Sequence, residues 1–153
     1  MLNRSAALLC EMGTGKTFIS INSAEILHYY GRIDKVIVIM PKSLVDTWCL
    51  ELKAFARNSV WWTVLGNKKQ RLEALQCRNP HKLNWYLVNV DAIANLQDEL
   101  LTFKRDMVII DESTVIKNRT AKRTKAIVEL FSFTPYKIIM SGNPIPKSAE
   151  EIY

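Results

Sequence analysis

The sequence predicts an α/β domain around a mostly parallel sheet, and three observations carry that prediction. Short β-branched apolar runs alternate with amphipathic stretches along the whole chain, which is the signature of successive βαβ units. Polar or turn residues close each apolar run. The first run also leads directly into Glu11-Met12-Gly13-Thr14-Gly15-Lys16-Thr17, a glycine turn with Lys-Thr opening a helix.

Taken in order, strands are expected at Ala6 to Leu9, Lys35 to Met40, Val60 to Leu65, Trp85 to Val90, Met107 to Asp111 and Lys137 to Met140. Arg4 to Leu9 reads as a short buried strand. Helices are expected at Lys16 to Tyr30, Ser43 to Phe55, Lys68 to Gln76, Ala92 to Phe103 and Ala121 to Phe131. In the first helix Phe18, Ile19, Ala24, Ile26 and Leu27 suit packing on a sheet, and in the second Leu44, Val45, Trp48, Leu52 and Phe55 fall on one stripe, read as core contact. Alternation along its strand gives Trp61 and Trp62 opposite directions, which favours core packing over a base-stacking platform.

The 153 residues are read as one domain, able to bury about 70% of the surface of the unfolded chain. With 48% hydrophobic and 24% charged residues, the chain has the composition of a folded globular protein. No apolar run approaches the roughly 20 residues of a membrane span, and no signal-peptide core opens the chain, so no membrane partner is expected. Cys10, Cys49 and Cys77 are three and widely separated, with His28 and His81 as the two histidines, and this spacing suggests neither a disulfide framework nor a zinc site. A reducing cytoplasm is the compartment expected. The net charge of +6 favours a polyanionic partner.

Leu8 to Thr17 reads as a phosphate-binding loop. A polyphosphate requires backbone N–H groups at close range and a positive helix end, and Gly13 and Gly15 allow the chain to curl without a Cβ in the way. Met12, Gly13, Thr14, Gly15, Lys16 and Thr17 would bind the nucleotide, with Lys16 reaching the β- and γ-phosphates and Thr17 ligating Mg²⁺. Cys10 stands where the strict pattern has its first glycine. The apolar run Met107 to Ile110 delivers Asp111 and Glu112 at its end, where Asp111 would hold Mg²⁺ through water and Glu112 would orient or deprotonate the attacking water. Glutamate directly after the aspartate favours ATP hydrolysis over phosphate transfer to a small acceptor, the kinase alternative.

Four blocks in order resemble the N-terminal lobe of superfamily 2 helicase-like ATPases of the Swi/Snf type. EMGTGKT is similar to motif I, VIVIMPKSLVDTWCLELKAF to motif Ia, VIIDESTVIKN to motif II, and SGNPIPKSAEEIY to motif III with its following helix. Ile116-Lys117-Asn118 after the acids is the most specific piece. The resemblance implies a RecA-like P-loop NTPase three-layer sandwich, with ATP and Mg as cofactors and double-stranded DNA as partner. It also implies that Lys42 and Ser43 meet the DNA backbone and that Ser141 and Gly142 couple nucleotide state to lobe movement.

The pattern departs from the family where Ser113-Thr114 follow the acids in place of the commoner Ala-His, and where Asn143 replaces the usual threonine before proline. Residues 1–153 are expected to be a single ATP-binding lobe, truncated at both ends. A second RecA-like lobe, with its arginine finger, would come from another chain or a missing C-terminal part. Alone, the chain is expected to be weakly active or inactive. Alternatives are the motor fragment of a restriction or repair helicase, or a non-catalytic remnant that binds nucleotide or DNA without turnover. Lys117, Arg119, Lys122, Arg123 and Lys125 form a basic cluster that suits either a DNA-facing patch or a solvated helix face.

Overall fold

The computed structural model describes residues 4–9, 11, 13–111 and 122–142. Six strands form one sheet: β1 (Ser5–Leu9), β2 (Lys35–Met40), β3 (Ser59–Val64), β4 (Leu83–Asn89), β5 (Met107–Asp111) and β6 (Tyr136–Ser141). All of the pairings are parallel, in the order β1-β6-β5-β2-β4-β3. The helices are α1 (Lys16–Tyr29), α2 (Val45–Phe55), α3 (Lys68–Gln76), α4 (Gln97–Thr102) and α5 (Lys122–Ser132). The expected α/β class and parallel sheet are therefore observed, with the element ends within two residues of expectation except at the start of α4.

Strand alternation divides the core into two layers, one on each face of the sheet. Val36, Val38, Met40, Trp85, Leu87 and Ile109 face α1 and α2, and meet Ile21, Ala24, Trp48 and Leu52. Ile37, Ile39, Tyr86, Val88, Val108 and Ile110 face the opposite layer, which includes Leu75 of α3, Leu100 of α4 and Ala126, Ile127 and Leu130 of α5. With both faces covered, β2 and β4 read as unbroken apolar runs. Trp61 packs against the first layer and Trp62 against the second, where it stacks on Tyr86 at 5.6 Å. The core-packing reading holds for both, each half-buried on the edge strand β3.

Two expectations at the start of the chain are corrected. β1 is mostly exposed rather than buried, because it is an edge strand paired only with β6. The inward face of α1 is Ser20, Ile21 and Ala24, while Phe18, Ile19 and Ile26 are exposed. Small residues allow the helix to sit close to the sheet, and the Ser20 hydroxyl lies 3.1 Å from the Met140 sulfur. Phe18 instead meets Phe55 of α2 edge to face at 5.0 Å.

The helix expected over Ala92 to Phe103 is divided. A 3-10 stretch covers Val90–Asn95, and α4 follows from Gln97. The Asn89 side chain accepts from the Asp91 N–H and starts the tighter turn. Residues three apart eclipse in a 3-10 helix, which aligns Val90, Ile93 and Leu96 toward the core. Leu96, at φ −120°, ends that stretch. The start of the second expected helix is likewise a 3-10 turn, Lys42–Leu44, ahead of α2.

Arg105 fastens this region from below. Its guanidinium donates to the carbonyls of Leu100, Leu101, Phe103 and Leu130 and to the Thr134 hydroxyl. One side chain thus ties the C-terminal ends of α4 and α5 to the chain entering β5. Arg105→Met keeps much of the stem and leaves those acceptors without their donor, so it is expected to cost about 2–4 kcal/mol. Urea unfolding would measure it, and a loss below about 0.5 kcal/mol would mean that water replaces the donor freely.

Candidate functional site

The carboxyl ends of the strands form one edge, and the order of the sheet decides which residues meet there. Leu9 of β1 pairs with Ser141 of β6, and Met140 pairs with Asp111 of β5. Ile110 pairs with Ile39 of β2, one residue before the turn to Pro41. From the sheet edge inward the row is therefore the glycine loop, Ser141 and Gly142, Asp111, and the corner carrying Lys42 and Ser43. Neighbouring strands lie about 4.8 Å apart, so β2 runs roughly 14 Å from β1. The corner is adjacent to Asp111 and remote from the loop.

The geometry of the loop would suit an anion. Gly13 and Gly15 have φ of 81° and 79°, in the left-handed region that glycine occupies without strain. Among the described residues, a Cβ at either would meet nothing within 4 Å, so the space over the loop is open. Gly15 caps α1 with no side-chain cap and no acid in the first helical turn, so the first-turn N–H groups keep their positive end of the helix dipole. The Glu11 carbonyl accepts from Thr14 Oγ1 at 2.8 Å and from Lys16 Nζ at 2.6 Å. These bonds curl the loop back on itself and hold the Lys16 ammonium beside it. Thr17, half-buried, is the second residue of α1.

Gly15→Ala would place a side chain at φ near 79°, which costs roughly 1–2 kcal/mol without any steric contact. Thermal or urea unfolding should show that loss. An unchanged midpoint would mean that the loop relaxes to negative φ.

Asp111, half-buried at the end of β5, accepts a hydrogen bond from the indole Nε1 of Trp48 at 2.8 Å. Sequence reasoning missed this role, since Trp48 was fully accounted for by its place on the apolar stripe of α2. The available signal was the indole N–H, which takes a polar partner when buried. A second indole, Trp85, donates to Ser59 Oγ, and Ser59 in turn donates to Glu25 of α1. Glu25 also accepts from the Asn58 N–H, so the helix that starts at the glycine loop is anchored at mid-length to the start of β3.

Lys42 and Ser43 are exposed in their 3-10 turn, which the Leu44 N–H closes on the Pro41 carbonyl at 3.0 Å. Ser141 is buried at the end of β6, and Gly142 follows half-buried. Lys122 and Lys125 of the basic cluster are exposed on α5. Met12 and Glu112, and Lys117 and Arg119 of the cluster, lie outside the described residues. Among the described residues no three His, Cys, Asp or Glu gather as a metal cage, and no helix is long and apolar enough to cross a membrane.

A six-stranded parallel sheet between helical layers, with a glycine loop after the edge strand and an acid two strands away, is the RecA-like P-loop arrangement. Within that class, the family model described as the SNF2-related domain matches residues 2–153, and the chain belongs to this family. It is 28% identical over 160 residues to a probable ATP-dependent helicase of Plasmodium falciparum, which covers 99% of the chain and 7% of the relative. It is 28% identical to Helicase SWR1 of Candida glabrata, over 99% of the chain and 10% of the relative. With the human DNA repair and recombination protein RAD54B the identity is 27%, over 100% of the chain and 17% of the relative. The chain thus corresponds to a small part of the length of these relatives.

Proposed function

We propose that the chain binds ATP with Mg²⁺ and hydrolyses it as one half of a DNA-dependent ATPase, with a second RecA-like lobe completing the site. The observation that carries this reading is the row along the carboxyl edge: phosphate loop, Ser141, Asp111 and the Lys42–Ser43 corner stand in consecutive strand positions. Phosphate oxygens would take the first-turn N–H groups of α1, and Lys16 would exchange the Glu11 carbonyl for the β/γ-phosphates. Thr17 and Asp111 would hold magnesium beside those phosphates.

These residues fit the ion. Magnesium retains most of its water and takes few protein ligands beside phosphate oxygens, so a hydroxyl and one carboxylate suffice. When bound, it neutralises charge building on the β- and γ-phosphates. Glu112 would orient the attacking water. Double-stranded DNA would lie along Lys42 and Ser43, with the lysine and the backbone of the turn meeting phosphates. Ser141 and Gly142, between loop and acid, would pass the nucleotide state to the second lobe.

The test is ATP turnover measured with and without double-stranded DNA, for the chain alone and with a second RecA-like lobe supplied. DNA-stimulated turnover that requires the added lobe supports the proposal. Turnover that stays absent in the completed pair, and is indifferent to Glu112→Gln, points to a lobe that keeps the fold without the chemistry.

A further inference from the structure

Trp48 is 1% exposed, its ring lies 6.3 Å from that of Trp85, and its Nε1 donates to Asp111 Oδ2 at 2.8 Å. A buried indole N–H takes a partner in any fold, but this partner is the carboxylate at the end of β5. The other end of the connection is equally specific. Trp48 lies four residues, about one helical turn, beyond Leu44, which closes the Lys42–Leu44 corner on Pro41. Val45 at the head of α2 is buried, so the corner and the first turn of α2 are held against the core as one piece. The head of α2 therefore reaches the end of β5 both through this hydrogen bond and through core packing of Trp48.

The geometry points to Trp48 as a positioning residue: it sets the rotation of the Asp111 carboxylate and links that rotation to whatever grips Lys42 and Ser43. A shift of the corner carries the first turn of α2 and the indole N–H with it. The acid then turns relative to the phosphate loop, whose helix is also tied through Glu25 to the Asn58 N–H and the Ser59 hydroxyl. A polyanion on the corner would thus be felt at the metal-holding carboxylate without touching it. This inference rests on the proposed reading of the edge as an ATP and magnesium site.

Trp48→Phe keeps an aromatic ring against Trp85 and removes the donor. Binding of a fluorescent ATP analogue would be titrated across magnesium concentrations. The variant is expected to bind without magnesium within about twofold of the wild type, while the magnesium concentration giving half-maximal tightening rises about tenfold, as for the loss of a group orienting a metal ligand. An unaltered midpoint in Trp48→Phe overturns the inference while the site reading stands. Analogue binding that is insensitive to magnesium in the wild type overturns both.

A measurement on the unsubstituted chain does not depend on how the variant folds. With ¹⁵N-labelled tryptophan, the Trp48 indole N–H signal is identified by its displacement in Asp111→Asn. Adding duplex DNA without nucleotide is expected to move that signal. A signal that stays fixed while anisotropy shows DNA bound, or an absence of DNA binding, overturns the link to the corner.

Discussion

Lys16→Ala is expected to weaken ATP binding by roughly two to three decades, which in most assays is loss of binding. The lysine supplies the charged donor of the loop, and removing one partner of a charge-assisted contact in a partly buried site costs about 2–5 kcal/mol, with each 1.4 kcal/mol a factor of ten. That ammonium donates to the Glu11 carbonyl, so substitution also removes a bond that shapes the turn. Thr14→Val separates the two effects, because Thr14 donates to the same carbonyl but brings no charge. If phosphate contact dominates, Thr14→Val costs less than tenfold. Equal losses in both variants would instead assign the effect to collapse of the loop, and unchanged affinity in Lys16→Ala would remove the nucleotide assignment altogether.

Much of the architecture could be read before any coordinates because local patterns suffice for it. Lys35 to Met40 and Met107 to Asp111 are apolar on both faces, and such runs closed by polar residues have few alternatives to central parallel strands. The glycine loop announces itself because Gly13, Gly15 and Lys16 have a joint geometric purpose. β1 was misread because an edge strand and a buried strand of small apolar residues look alike until the pairing partners are known. The face of α1 was read correctly at Ala24 and Leu27 and missed at Phe18, Ile19 and Ile26, which are exposed while Ser20 and Ile21 turn inward. Trp48 illustrates the remaining gap. Its contact with Asp111 depends on β2 lying beside β5, a pairing across about seventy residues that no local pattern encodes.

The same separation of local from distant information bears on catalysis. Every group described at the edge would act on the nucleotide from one side: backbone N–H groups, Lys16, Thr17 and Asp111 would bind and orient, and none of these would supply a second cation to the charge that builds on the transferred phosphoryl group. An arginine from a second lobe would supply it, and such a residue is worth about 10³–10⁵ in rate. Supplying a second RecA-like lobe in the presence of double-stranded DNA is therefore expected to raise ATP turnover by about that factor over the chain alone, with little change in ATP affinity. The two readouts distinguish the mechanisms. A donor used only in the transition state raises the turnover number, whereas a lobe that merely shields the site would tighten binding and leave the turnover number nearly constant. An increase below tenfold, with duplex DNA saturating and Asp111 intact, would mean that the edge of this sheet binds nucleotide without being half of a hydrolytic site.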